Sequence, residues 1–389
     1  MIKILHLITS FGLGGAETNL WRLACHMDRS RFANVVVTMT PTKPDQGTVE
    51  PTPEEAGVPF FTLGMQRGTP DPLSAARLLR IVRRVRPQIL QTWLYHADLM
   101  GLLVGKFARV PVIAWNLRCS FMDMTEYSRV SKYVLRTLVA LSPFPNAVLA
   151  NSQSGLRFHE ALGYKPRRWM WIPNSLDLER FRPDPIAKGR LQSELGLGPD
   201  ALLVGLVARF DPMKDHKNFI EAARLLTHDN PRIHFVLAGR RVDSANDEIA
   251  GLIAETGVAD RFHLLGLRHD VNRIVPGFDI ACSSSYSEGF SNTIAEAMAC
   301  GVPCVATDVG DSALIIANTG KAVPPRDPQA FAQACREILS LPPERRRRLS
   351  QCARASVEQR FSLSSVVARY ERLYEQLAPT TLHNLTTPI

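Results

Sequence analysis

The chain reads as α/β, with two doubly wound units of parallel strands and helices in tandem. Three observations carry this. Short apolar runs alternate with longer helical patterns from residue 1 to about 150. The same rhythm restarts at Leu202. Between them, Ile172-Pro173-Asn174-Ser175-Leu176-Asp177 and Phe181-Arg182-Pro183-Asp184-Pro185 break the pattern, with no long apolar run until Leu202. This predicts an N-terminal unit over 1–175, a linker over 175–200, a C-terminal unit over 200–358 and a last helix over 359–378.

The strand readings follow in order. In the first unit they are Lys3–Ile8, Ala33–Met39, Phe60–Leu63, Ile89–Thr92, Val112–Trp115 and Ala147–Ala150. In the second they are Leu202–Val207, His234–Leu237, Phe262–Leu265, Phe278–Cys282 and Pro303–Thr307. From Phe361 to Leu377, Val366, Val367, Tyr370, Leu373 and Leu377 recur at helical spacing. Residues after Ala378 are polar and turn-rich. Glu344 and the four arginines that follow read as an exposed helix start.

Composition bounds the function. At 389 residues the chain is long enough for two cores. No apolar run nears the ~18 residues of a membrane span. Met1–Ile8 is too short and too soon polar for a signal peptide and reads as a strand. The seven cysteines lack metal or disulfide spacing, which points to a reducing cytoplasm. The net charge is +9, much of it clustered. Arg77, Arg80, Arg83, Arg84 and Arg86 punctuate an apolar helix pattern. Arg129, Lys132 and Arg136 lie beside Tyr127 and Tyr133 on a stretch from about Glu126 to Leu141. Such faces suit an anionic membrane surface or a solvated helix side, and both readings stand. No aromatic-basic reading surface argues for nucleic acid.

Candidate site residues sit where strands end. Gly12-Leu13-Gly14-Gly15-Ala16-Glu17 leads from the first strand into a helix. Its glycines allow close backbone approach, although the dinucleotide spacing is incomplete. His96, in Gln91-Thr92-Trp93-Leu94-Tyr95-His96-Ala97-Asp98, is a cleft histidine with Asp98 as its orienting partner, or else a core residue. Asn116 to Ser120 follows the next strand by the same logic. Asp177-x-Glu179 reads as a turn, and no metal is assigned.

Two stretches of the second unit carry the chemistry. Arg209 and Lys214 lie five apart around a proline turn, so a planar fork and a point charge can reach one side of a crevice. After a strand end at Ile280-Ala281-Cys282, Tyr286 to Pro303 reads as glycine turn and short helix, with amides at Gly289, Phe290, Ser291, Asn292 and Thr293. Glu288 and Glu296 flank these amides. An anion cradle framed by hydroxyl-accepting carboxylates suits a sugar nucleotide. Thr293 and Glu296 also fit a capping box, and Glu288 a solvated loop.

Together, Arg209-x4-Lys214 and Glu288-x7-Glu296 resemble the retaining glycosyltransferases of family four, the group 1 glycosyltransferases of GT-B fold. Gly14-Gly15-Ala16-Glu17, Ile172-Pro173-Asn174 and Leu265-Gly266 sit where that family carries similar segments. The resemblance implies two Rossmann-like domains facing across a cleft, with the last helix crossing back to the first. It implies Arg209 and Lys214 on a donor diphosphate, Glu288 on the donor sugar and Glu296 on the ribose. Gly289 to Thr293 would supply amides, Arg268 would lie near the base, and Gly14 and Gly15 would approach the diphosphate. Family members often carry a histidine where this chain has Asn116, which leaves His96 as the histidine candidate. The implied reaction is metal-independent and retaining, with no cofactor beyond a nucleoside-diphosphate sugar as co-substrate, a UDP-sugar first. Its acceptor would be lipid-linked or a glycan, in bacterial envelope or exopolysaccharide synthesis. A sugar-nucleotide 2-epimerase and a non-catalytic sugar-nucleotide binder are the competing readings.

Overall fold

Strand β1 (Ile2–Ile8) is buried from Ile4 onward, apolar there except for His6, and lies inside a seven-stranded parallel sheet, next to the central strand. The computed structural model describes residues 1–12, 14–41, 52–66, 71–120, 129–228 and 230–378. The other strands of this sheet are β2 (Phe32–Thr38), β3 (Phe60–Thr62), β4 (Ile89–Trp93), β5 (Val112–Leu117), β6 (Ala147–Ala150) and β7 (Trp169–Trp171). Their order is β3-β2-β1-β4-β5-β6-β7. The chain winds outward in one direction from β1, then returns to β4 and winds the other way. The crevice at β1 and β4 is therefore the point where strand order reverses.

Helices Pro72–Val85, Tyr95–Phe107 and Arg129–Leu141 cover one face of this sheet. Their Leu78, Val82, Leu102, Leu135 and Leu138 pack with Leu5, Leu7, Leu90 and Ile113. Helix Leu363–Leu377 joins the same compact unit, which comprises Met1–Ser175 and Ser364 onward. Its Tyr374 hydroxyl donates to Gln91 Oε1 at 3.3 Å, and its Tyr370 ring stacks on Trp93 at 6.2 Å. Asn116 is fully buried and donates from Nδ2 to the Tyr370 hydroxyl at 3.0 Å. Asn116 is thus an anchor for the last helix.

The second unit, Leu176–Leu363, holds β8 (Leu202–Val207), β9 (Ile233–Ala238), β10 (Phe262–Leu264), β11 (Ile280–Ser283), β12 (Cys304–Thr307) and β13 (Gly320–Val323). All are parallel, in the order β10-β9-β8-β11-β12-β13. Here the reversal falls between β8 and β11.

Several expectations need correcting. Residues 176–200 are not a loose linker. Helix Ala187–Glu194 forms there, and Leu176, Phe181 and Leu191 are core side chains of the second unit. The last helical stretch starts later than 359: helix Pro343–Phe361 ends at Ser362, and a new helix runs over Leu363–Leu377. Strands β7 and β13 were not read from sequence. Among the run of arginines after Glu344, Arg346 is not simply exposed, since its guanidinium lies 3.7 Å from Asp279. Leu13, Glu126, Tyr127 and the tail after 378 lie outside the described residues, as does the side chain of Arg129. All seven cysteines are free thiols. Among the described residues no helix is long and apolar enough to cross a membrane.

Candidate functional site

In the second unit, the turn after β8 is held by two aspartates. Asp211 accepts the Met213 amide at 3.0 Å on one oxygen and Arg209 Nε at 3.0 Å on the other. Asp215, in the left-handed region at φ 47°, caps helix His216–Thr227 by accepting the Asn218 amide at 3.2 Å. Between them Pro212–Lys214 make one tight 3₁₀ turn. A proline at the first position suits such a turn because its missing N–H is not needed there.

This turn is laced to the loop after β11. Tyr286 N donates to Met213 O at 3.0 Å, and Ser284 Oγ donates to Lys214 O at 2.8 Å. The lacing brings the Lys214 ammonium onto Glu288, to which it donates. The same carboxylate oxygen accepts Ser285 Oγ at 2.8 Å. Both side chains are mostly buried, at 21% and 13% exposure, so water screens the pair only in part. A third loop, after β12, closes on this pair: Asp311 N donates to Gly289 O at 2.9 Å. From the loop after β13, the Arg326 guanidinium lies 4.5 Å from the Tyr286 ring centroid. Ser285 and Arg326 were not picked from the sequence. A serine in Ser283-Ser284-Ser285 and an arginine in a plain turn carry no spacing signal.

Helix Asn292–Ala299 begins directly after this loop. Its cap residue Ser291 does not cap a helix amide with its side chain; its Oγ meets the Thr293 hydroxyl at 3.4 Å instead. Thr293 is the second helical residue, so the capping-box reading with Glu296 fails. Glu296 is half-buried one turn in. Phe290 is buried, its ring edge-on to Phe361 at 5.2 Å, so only its backbone is offered to a ligand. Arg268 is committed elsewhere. Its guanidinium meets Asp270 at 2.8 Å and Glu194 at 2.6 Å, and hydrogen bonds to these two carboxylates raise its pKa further. A base bound nearby would rely on other groups of that loop.

In the first unit, the loops at the β1–β4 reversal hold the remaining candidates. Gly14 and Gly15 open helix Gly15–His26 after β1, and a side chain at Gly14 would overlap the Glu17 carboxylate. Burial pushes that carboxyl up. His96 and Arg118 line a cavity of about 590 Å³ together with Ser10, Tyr95 and Cys119. Arg118 lies 4.4 Å from the Trp93 ring centroid and donates to Asn174 Oδ1 at 2.5 Å. It follows β5, inside the 116–120 segment that the sequence flagged without choosing a residue.

Asp98 does not orient His96. It is fully buried, accepts Thr92 Oγ1 at 2.5 Å, and its second oxygen has no hydrogen-bond partner. Burial raises its pKa well above 3.8, so the folded state keeps the proton that the unfolded chain releases. With more protons bound when folded, stability falls as pH rises from about 4 toward the folded-state pKa. The slope for one such proton is about 1.4 kcal/mol per pH unit. Asp98→Asn is expected to remove that slope. Thermal melts of both proteins across this range test it, and parallel curves would count against a protonated Asp98.

Two family models match. The model for Glycosyl transferases group 1 covers residues 201–341, and that for Glycosyltransferase Family 4 covers residues 13–180. A D-inositol 3-phosphate glycosyltransferase of Geodermatophilus obscurus is 31% identical over 56% of this chain and 50% of its own. The chain thus spans about half the length of that relative. A UDP-Gal:alpha-D-GlcNAc-diphosphoundecaprenol alpha-1,3-galactosyltransferase of Escherichia coli is 25% identical over 64% of this chain and 65% of its own. Among solved structures, Anabaena Alr3699/HepE in complex with UDP superposes with TM-score 0.80 at 23% identity, over 96% of this chain and all of that one. The same protein has been solved with UDP-glucose. The two parallel sheets are those of the GT-B fold.

Proposed function

Since the chain belongs to the group 1 glycosyltransferases of family four, we propose that its second unit holds a nucleoside-diphosphate sugar and that the enzyme passes the sugar, configuration retained, to a lipid-linked or glycan acceptor. The observation that carries this is the lacing of the turn after β8 to the loop after β11. It sets the Lys214 ammonium and Glu288 together just ahead of an uncapped helix start.

The roles follow from chemistry. Breaking the bond from the anomeric carbon to phosphate builds charge on the leaving oxygen. Lys214, Arg209 and the amides from Gly289 to Thr293 offset it, which makes a metal unnecessary. The acceptor hydroxyl attacks from the same face, and its proton goes to the departing phosphate. Glu288 orients sugar hydroxyls and gives up Lys214 to the diphosphate as donor binds. Glu296 accepts from the ribose. In the first unit, the cavity lined by His96 and Arg118 takes the acceptor. UDP is the first base to test, because HepE was solved with UDP and the Escherichia coli relative is named for UDP-Gal. That relative's diphosphoundecaprenol acceptor makes a lipid-linked acceptor the first choice, in envelope or exopolysaccharide synthesis in the cytoplasm.

A thermal-shift screen of UDP-, GDP- and ADP-sugars tests the donor assignment. Stabilisation by one base is expected, and no response to any of the three would sink the reading. Anomeric couplings in the product spectrum test retention. Glu296→Ala is expected to weaken nucleotide binding about tenfold or more, the scale of a hydrogen bond to a charged group. Unchanged affinity by calorimetry would contradict the ribose role.

A further inference from the structure

The three helices that cover one face of the first sheet are uneven on their outer side. Helix Tyr95–Phe107 is the middle one, packed against Pro72–Val85 on one flank and Arg129–Leu141 on the other. Its Leu103 and Phe107, one turn apart, are 59% and 69% exposed. On the next helix Tyr133 is 67% exposed, with Val130 one turn before it. Large apolar side chains grouped on adjacent helices mark a binding face rather than scattered surface residues.

Within these three helices the exposed charges have one sign. Between Pro72 and Ser120 the sole carboxylate is Asp98, which is buried, and none occurs from residue 129 to residue 146. Arg80, Arg83, Arg84, Lys106, Lys132 and Arg136 have no carboxylate partner among the described residues. The Arg83 guanidinium instead lies 5.9 Å from the Phe107 ring centroid. By contrast, the helix Leu363–Leu377 carries Glu371 and Glu375, bonded to Arg31. Unpaired cations interleaved with outward Leu, Phe and Tyr match a surface that is negative outside and apolar just beneath.

We infer that this face seats the first unit on an anionic lipid surface, the cations on headgroups and Leu103, Phe107 and Tyr133 in the interface. The docking stands apart from the sugar-transfer reading and is measured without donor. The full chain is floated with phosphatidylcholine vesicles, with and without phosphatidylglycerol. Binding is expected only with phosphatidylglycerol, and raising salt from about 50 mM to about 500 mM should release most of it. Arg83→Glu with Lys106→Glu is expected to cut the vesicle-bound fraction more than about tenfold, each cation near such a surface being worth roughly fivefold in partition. Leu103→Ser with Phe107→Ser should weaken binding at both salt levels. UDP affinity of both variants, by calorimetry, should match the unaltered chain, which separates this result from any failure of the donor site. Equal binding to neutral vesicles, or variants that bind as the unaltered chain does, overturns the inference. So does a dimer in solution that Phe107→Glu dissolves, which would assign the face to a second copy.

Discussion

Lys214→Ala is expected to lower turnover about 10²–10³-fold with the circular dichroism spectrum unchanged. The turn that carries Lys214 is fixed by Asp211, Asp215 and the loop after β11 through backbone bonds that the substitution leaves in place. What goes is the ammonium that reaches Glu288. If that charge acts chiefly on the leaving phosphate, kcat falls while KM changes little. Steady-state kinetics decide it, and turnover within a fewfold of the unaltered enzyme would remove Lys214 from the mechanism. Lys214→Arg should not restore full activity, since a planar fork cannot replace a compact point charge in a turn of this size.

Gly310→Ala should cost both stability and donor binding. Gly310 sits at φ 61°, and a Cβ there would overlap the Glu288 carbonyl oxygen and come within 2.7 Å of Gly289 O. Left-handed backbone costs alanine about 1–2 kcal/mol, and the overlap adds a similar amount. The peptide that must move joins Glu288 to Gly289, so donor binding should fall with stability. A lower melting temperature together with at least about tenfold weaker UDP binding is expected, about 1.4 kcal/mol on the second count. Weaker stability with unchanged UDP affinity would mean the Glu288–Gly289 backbone does not meet the donor.

The sheet cores were legible because buried parallel strands are continuous apolar runs, as in Leu202–Val207. The edges were not. Strand β13 has Gly320 and an exposed Lys321, and β7 is three half-buried residues, so neither shows a period. The cation turn and the amide loop were found because each lies at a strand end with a local spacing. Their lacing was not, because Tyr286 N to Met213 O is a backbone contact across 73 residues and no side-chain type announces it. Asp98 misled for the opposite reason. Two residues from His96 on one helix, it looked like a partner, but helical geometry turns i and i+2 to different faces. Arg268 was picked by position, and only the structure reveals the carboxylates that occupy it.

The closing helix Leu363–Leu377 has a bearing on how the protein is made. Chain emerges from the ribosome N-terminus first, and domains ordinarily fold in that order. Here Gln91, Trp93 and Asn116 wait for Tyr370 and Tyr374, which are translated more than 250 residues later. The intervening Leu176–Leu363 can fold as a whole in the meantime. The unit synthesised first is therefore the last to be completed, and a nascent chain halted before Tyr370 would hold that sheet open to chaperones.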